Sequence, residues 1–465
     1  MLESESNKAF DSIFVKGLST LRMLEKLKRK LGDSDSKEIL AKGFSFLVLR
    51  SGGMFVGYLF TFFIARFYGA SVNGLVALGF VLFLVFSIFG RLGLDINLVK
   101  FYSKDDNWKS SPGLFYKVLL KTFVFSSFLS ICLYLSKTFI VENIFKKPDL
   151  DPYVFWVAIT IPLWCITIMC SGLLRARQKN NWYAFLESPG RFSFTLIFFM
   201  LFVFLARENS LNAIVAHFFG ILLLTAVALV KAIKEIGWEG RKLNNYDSKL
   251  FLKESLPMMF SGAIIVFLGW ADTFVLGIYE NENIVGVYSV VIKIAALVSF
   301  VLQAINSILM PKVSKLYSEG QLQKCKSLIR FSTMVNLILT VIIVLFILLG
   351  NHYLLAFFGE EFLIGTSVLS LLCVGQLINS LCGSVGVVLQ MTGYQKVYRN
   401  IVFIALVVNI ILNFTLVPNY GMYGVAIATI VSMSLWNIIG ATYIKLKLDI
   451  DTFFNPFELI KKIKG

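Results

Sequence analysis

Apolar stretches long enough to cross a bilayer recur from one end of this chain to the other, and that recurrence restricts the fold more than any other feature. Inside hydrocarbon no water satisfies a backbone N–H or C=O, so spans of this length must be helices that bond within themselves. The runs predict about twelve transmembrane helices, near 44–67, 74–97, 114–136, 152–174, 188–206, 210–231, 255–279, 284–310, 329–350, 362–389, 399–417 and 421–444. The expected fold class is therefore an all-α polytopic membrane protein. Hydrophobic residues make up 57% of the 465, a content that a soluble domain would not carry.

The chain also repeats itself. Ser51-Gly52-Gly53 returns as Ser261-Gly262-Ala263, Lys100-Phe101-Tyr102-Ser103 as Lys315-Leu316-Tyr317-Ser318, and Gln178-Lys179 as Gln395-Lys396, in the same order. Six spans fall in each half. An even number returns the chain to its starting side, so the halves read as two parallel six-helix lobes around a central cavity. The expected organisation is a cytoplasmic amphipathic segment over 1–43, an N-terminal lobe over 44–231, a basic inter-lobe linker over 232–254, a C-terminal lobe over 255–444 and a cytoplasmic tail over 445–465. Within the first segment Phe10, Ile13, Phe14, Leu18, Leu21, Leu24, Leu27 and Leu31 share one helical face. That face suits the inner leaflet or a docked cytoplasmic helix.

The net charge of +16 is sorted by side rather than gathered into a nucleic-acid patch. Most of the 44 Lys and Arg lie in the termini and in the loops after even-numbered spans. The opposite loops hold Lys137, Lys146, Lys147 and Arg207, beside Glu280, Glu282, Glu360 and Glu361. By the positive-inside rule both termini are expected in the cytoplasm. The six cysteines have no paired spacing, so neither a disulfide framework nor a metal site is expected. Outer loops are short, and no Walker A loop, HExxH or GxSxG occurs, which points to a transporter rather than an ATPase, zinc hydrolase or serine hydrolase.

Charges inside spans are costly and mark candidate sites. In the eighth span Ser289, Lys293, Ser299, Gln303 and Asn306 form a polar stripe. At the helical rise Lys293 lies roughly 13 Å from the outer end, too deep for easy snorkelling, so it should face a cavity or a partner. Asp272 in the seventh span lies at a similar depth of roughly 10 Å. Either the two form a structural ion pair, or Lys293 binds an anion while Asp272 is its charge partner or the coupling-ion carboxylate. Arg50 enters the first span above Gly53, Gly57 and Thr61, an arrangement that suits a cavity-lining helix or a snorkelling cation. Gln376 and Asn379 in the tenth span, and Asn409 and Asn413 in the eleventh, suit sugar hydroxyls or hydrogen bonds between helices. Arg91 with Asp95 and Glu187 with Arg191 read as structural i,i+4 pairs. His217, alone in the sixth span, raises a proton relay.

Two runs carry a family resemblance. Phe63-Ile64-Ala65-Arg66-Phe67-Tyr68-Gly69-Ala70-Ser71-Val72-Asn73-Gly74 resembles the end of the first span in polysaccharide-exporting members of the multidrug/oligosaccharidyl-lipid/polysaccharide (MOP) exporter superfamily. Val417-Pro418-Asn419-Tyr420-Gly421-Met422-Tyr423-Gly424-Val425-Ala426-Ile427-Ala428-Thr429 resembles that family's entry to the twelfth span, and Met310-Pro311 closes the eighth. The resemblance implies a bacterial inner-membrane flippase of the O-antigen (Wzx) type that moves undecaprenyl-pyrophosphate-linked oligosaccharide between leaflets. It also implies a cationic central cavity, which Lys293 and Arg50 match by position. The expected substrate-binding set is Arg50, Lys293, Gln303, Asn306, Gln376, Asn379, Asn409 and Asn413, with Asp272 as the coupling-ion or charge partner. No cofactor is expected, and coupling would come from protons, sodium ions or the membrane potential. Expected partners are the lipid-linked oligosaccharide, membrane lipids and polysaccharide-assembly proteins, with no nucleic acid. A hydrated pyrophosphate needs a polar basic path while its polyprenyl tail stays in lipid. The alternatives are a cation-coupled multidrug or toxin exporter of the same superfamily, whose cationic substrates would favour acidic cavity residues, and a membrane polysaccharide polymerase or glycosyltransferase, which the short outer loops disfavour.

Overall fold

The computed structural model describes residues 34–104, 111–238 and 246–453. The amphipathic helix expected over 9–32, part of the linker and the end of the tail lie outside the described residues. The described chain is helical: α1 Ser34–Gly90, α2 Leu94–Tyr102, α3 Pro112–Leu135, α4 Asp151–Ala176, α5 Asn180–Glu187, α6 Pro189–Leu205, α7 Asn212–Ile236, α8 Ser248–Tyr279, α9 Glu282–Ser318, α10 Leu322–Ala356, α11 Thr366–Cys382, α12 Val385–Met391 and α13 Gln395–Leu448.

Nine helical segments among the described residues are long and apolar enough to cross a membrane. Two of them are hairpins. Phe60 and Phe80 on α1 stack at 6.4 Å between ring centroids, whereas a straight helix would hold them roughly 30 Å apart. The fold-back is at Gly69, where φ is 79° and a Cβ would strike the Glu361 carboxylate. Likewise Asn409 and Ser432 on α13 are 3.3 Å apart, against roughly 35 Å along a straight helix. That turn is at Gly421, with φ 50° and the Glu280 carboxylate against it. The pair α5 and α6, bent by 44°, makes one further pass. With the two hairpins counted twice, the described residues make the twelve passes that the hydrophobic pattern predicts. Helix α9 continues beyond Pro311 to Ser318, past the end expected for that span.

Helices α1–α7 form one lobe and α8–α13 the other. At the face opposite the basic loops the lobes are pinned together. Asn73 donates from Nδ2 to the Gly286 carbonyl at 2.9 Å and the Ser289 hydroxyl at 2.8 Å, and the backbone N–H of Ala70 donates to Glu361 at 2.7 Å. Gly74 and Gly286 let α1 and α9 approach so closely that a Cβ on either would overlap the other's backbone. Phe62 stacks on Phe357 at 4.4 Å. Lys147 is buried there and donates to the Gly277 carbonyl at the end of α8. Burial lowers its pKa from the ordinary lysine value, against the pull of Glu282 and Glu280. At the basic face the lobes meet along α2 and α8, where Asn97 donates to the Phe251 carbonyl and the Ser255 hydroxyl, both at 3.1 Å. The basic-face half of the α1–α9 seam is looser: Arg50, Phe55, Gln303 and Ile308 are all exposed.

Candidate functional site

Lys293 crosses from one lobe to the other. Its Nζ donates to the Thr61 hydroxyl of α1 at 2.6 Å, and its backbone carbonyl accepts from the Tyr58 hydroxyl at 3.0 Å. Thr61 in turn donates to the Gly57 carbonyl, which leaves a lone pair for the ammonium. Ser289, one turn earlier, lies on the same face and meets Asn73, so this side of α9 is the inter-lobe side. An ammonium has three protons, and Thr61 takes one. No carboxylate among the described residues pairs with it.

The pairing of Lys293 with Asp272 is therefore corrected. Asp272 is buried inside the second lobe, with 3% of its surface exposed. Its Oδ1 accepts from Asn409 at 3.1 Å and Asn413 at 2.8 Å. Its Oδ2 accepts from the Tyr288 hydroxyl at 3.2 Å and from Thr429. The reason is angular. Tyr288 and Lys293 are five residues apart, about 140° around a helix, so the face of α9 that meets Asp272 carries Tyr288 and the lysine points at the other lobe. The counted depths were similar, but the directions around the helices are not.

A second charge reading also changes. Glu187 ends α5 and Pro189 begins α6, so the bend between them removes the i,i+4 geometry that would pair Glu187 with Arg191. Arg191 instead donates from Nε to His217 Nε2 at 3.1 Å. Its guanidinium carbon lies 5.1 Å from the Phe80 ring centroid, 4.9 Å from Phe83, 5.2 Å from Trp164 and 4.9 Å from Phe192. Because His217 uses its Nε2 lone pair as the acceptor, it cannot take a proton there while Arg191 stays in place, which removes the simple proton relay. Its Nδ1 is buried without a hydrogen-bond partner. Arg91 and Asp95 do pair, at 2.9 Å.

The remaining expected residues separate by lobe and by surface. Arg50 is exposed. The small-residue stripe beneath it does not open a cavity: Gly53 faces Ser188 and Pro189, and Gly57 faces the Phe192 ring, so both admit the bent α5–α6 pass. Gln303 is exposed and donates to Ser299 at 3.4 Å, while Asn306 keeps a buried Oδ1 without a partner. Gln376 is half-buried. Asn379 accepts from Asn437 at 2.9 Å in the interior of the second lobe. Asn409 and Asn413 are turned onto Asp272. The structure thus gathers Asp272, Asn409 and Asn413 into one cluster and holds Lys293 apart from it. Sequence reasoning placed Thr61 on a small-residue face but not opposite Lys293, and it missed Tyr288, Thr429 and the separation of Arg191 from Glu187. Thr429 carried a signal, since it ends one of the two family-like runs.

Residues 39–317 match the sequence family described as "Polysaccharide biosynthesis protein", and residues 257–415 match "MatE". Over 242 residues the chain is 26% identical to "Probable low-salt glycan biosynthesis flippase Agl15" of Haloferax volcanii, covering 52% of this chain and 51% of that protein. It is 30% identical over 173 residues to "Probable flippase AglR" of the same organism, covering 37% and 36%. The chain thus spans about half the length of the first of these relatives and about a third of the second. In architecture it is similar to the lipid II flippase MurJ in an inward closed conformation, with a TM-score of 0.70, 16% identity, and 86% of this chain and 87% of that one covered. It is equally similar to an inward-facing multidrug resistance MATE family transporter of the MOP superfamily, at 0.70, 14% identity, and 87% and 98% covered. These likenesses match the two-lobe helical fold.

Proposed function

We propose, from the premise that the chain belongs to the polysaccharide biosynthesis protein family, that it is a membrane flippase carrying a lipid-linked glycan from one leaflet to the other by alternating access. The observation that carries this reading is Lys293, a cation contributed by one lobe, bonded to a neutral hydroxyl of the other and left without a carboxylate. A charge so placed is costly unless an anion visits it. A phosphate or pyrophosphate that joins a glycan to its lipid supplies that anion, and the polyprenyl chain stays in hydrocarbon. The loose basic-face half of the α1–α9 seam offers a lateral entrance beside Arg50 and Gln303. The pinned opposite half is the part that must open to release cargo. In its finest form the substrate is undecaprenyl-pyrophosphate-linked oligosaccharide in a bacterial inner membrane, with the basic face cytoplasmic.

The protein acts as a carrier rather than an enzyme, so the cycle needs a bias. Asp272 is the group for it: a proton or sodium ion taken up there would cancel the buried charge and change the hydrogen bonds that tie α8 to both arms of α13. The drug-exporter reading is weaker. A cationic drug would need a free carboxylate, and both oxygens of Asp272 are already covered by donors. The test is Lys293→Ala in a strain that depends on this protein for glycan export. Export should be lost with normal protein level, and Lys293→Arg should keep part of it. Unchanged export by a normally expressed alanine variant would remove Lys293 from the transport path.

A further inference from the structure

The repeated dipeptide Gln395-Lys396 has no part in the flipping site, yet it lines a groove on the basic face. The groove lies between the lower part of α8 and the turn from α12 into α13. Ser261 and Ile265 form one wall, Gln390 closes an end, and Lys396, Arg399 and Val402 form the other wall. Lys396 and Arg399 are three residues apart on the first turns of α13 and share a face. Neither meets a carboxylate among the described residues, and Arg399 has a 3.4 Å contact with Asn400. Ile265 is 60% exposed, and the neighbours of the groove in sequence, Phe260 and Phe403, are 61% and 50% exposed. These apolar side chains lie beside the groove on spanning helices and are free to take an acyl chain. The groove therefore has a cationic rim, amide and hydroxyl groups beside it, and an exposed apolar wall.

We propose that this groove binds one anionic membrane phospholipid from the leaflet on the basic face. The phosphate lies against Lys396 and Arg399, the polar headgroup against Gln390 and Ser261, and one chain along Ile265 and Val402. Zwitterionic lipids bring a cation to the same rim and are disfavoured there. The site is independent of the flipping reading. It bridges α8 and α13, the helices that carry Asp272 and its asparagines, and it lies about three turns below them toward the basic face. Occupancy therefore holds these two helices in register.

The experiment is native mass spectrometry of the full chain in detergent, titrated separately with phosphatidylglycerol, phosphatidylcholine and a polyprenyl phosphate. One phosphatidylglycerol should bind saturably, and phosphatidylcholine should not compete. The double variant Lys396→Gln with Arg399→Gln should weaken binding about thirty-fold, as expected for two headgroup cations. Ile265→Trp, which fills the chain path and leaves the charges, should weaken it too. A control that removes two charges elsewhere on this face, Lys312→Gln with Lys324→Gln, should leave binding unchanged. Equal weakening by the control would reduce the effect to general surface charge and overturn the site. So would unchanged binding by the double variant. Stronger binding of polyprenyl phosphate than of phosphatidylglycerol would reassign the groove to the transported class of lipid and overturn the phospholipid assignment.

Discussion

In the first lobe the guanidinium of Arg191 is enclosed by the rings of Phe80, Phe83, Trp164 and Phe192 and by one imidazole lone pair. In the second lobe the carboxylate of Asp272 is enclosed by two amides and two hydroxyls. Both charges are buried, and neither has an ionic partner among the described residues. The two lobes thus hold opposite charges, and each solvates its own by the means its chemistry allows. A cation is stabilised by the negative faces of aromatic rings, and a carboxylate by donors aimed at its lone pairs. The consequence is an asymmetry. Arginine keeps its proton, so the first lobe is permanently positive, next to the helix that receives Lys293. A proton or cation taken up by Asp272 would displace or reverse some of its donors, so the second lobe is the one whose charge and hydrogen bonds can change together.

The largest effect should come from breaking the acidic side of this contrast. Asp272→Ala leaves protons of Asn409, Asn413 and Tyr288 without an acceptor, while Thr429 can turn to the Val425 carbonyl; at roughly 1–3 kcal/mol for each one left unpaired, this should remove most folded protein, read as thermal unfolding in detergent. Asp272→Asn keeps the shape, and should leave the fold largely intact while export is lost. Normal export by a well-folded asparagine variant would show that the charge of the second lobe is inert. Since Asp272 and Lys293 do not meet, exchanging them should rescue neither variant.

A smaller effect is expected on the basic side. Arg191→Met fills the aromatic enclosure without the charge. It gives up a cation–π contribution of about 2 kcal/mol at a desolvated site and leaves His217 Nε2 without its donor. Arg191→Lys should fall between this variant and the wild type, because an ammonium keeps the charge but not the planar fit. Export should drop more than stability if the permanent charge of the first lobe serves the anionic cargo. A methionine variant that exports and unfolds like the wild type would leave Arg191 without a role and end the comparison.

The smallest effect separates buried from exposed charge within the second lobe. After α13 the chain folds back so that Ile450 and Thr452 are buried, and this strap is held by Lys326 to Asp449 at 2.7 Å, Arg330 to Asp451 at 2.7 Å and Lys445 to Asp451 at 2.8 Å. Lys326 and Lys445 hold the Asp449 carboxyl below its ordinary value of 3.8. Burial alone would raise Asp451, but Lys445 and Arg330 outweigh it and hold that carboxyl low as well. For a depressed carboxylate the stabilisation is present above the unfolded value and is lost as pH falls through the folded one. The strap should therefore loosen only below about pH 3.8, read as protease cleavage within residues 449–453. Loosening between pH 5 and 7 would mean that these pairs do not hold it.

The number of passes was legible in the chain because hydrophobic length is set by the bilayer and needs no partner. The two-lobe arrangement was legible too, from an even split of the spans. Gly69 and Gly421 lay within the two family-like runs, and both proved to be the hairpin turns. The partners of the charges were not legible. Asp272 and Lys293 matched in depth, yet their directions differ around their helices, and Glu187 and Arg191 matched in spacing, yet a bend separates them. The stripe Gly53, Gly57 and Thr61 was visible as a small-residue face, but whether it lined a cavity or admitted a neighbouring helix depended on where α6 packs.

What the sequence by itself determined is therefore what is governed by distance along one helix: the length and number of the spans and their order along the chain. What only the tertiary structure decided is everything governed by rotation about the helix axes and by the choice of neighbour. Those set Asp272 among Asn409, Asn413, Tyr288 and Thr429, Arg191 against His217, and Lys293 on Thr61. The physical reason is that a helix fixes the rise of each residue locally, at about 1.5 Å. The partner that a buried polar group finds depends instead on how separate helices pack, and residues more than a hundred positions apart settle it.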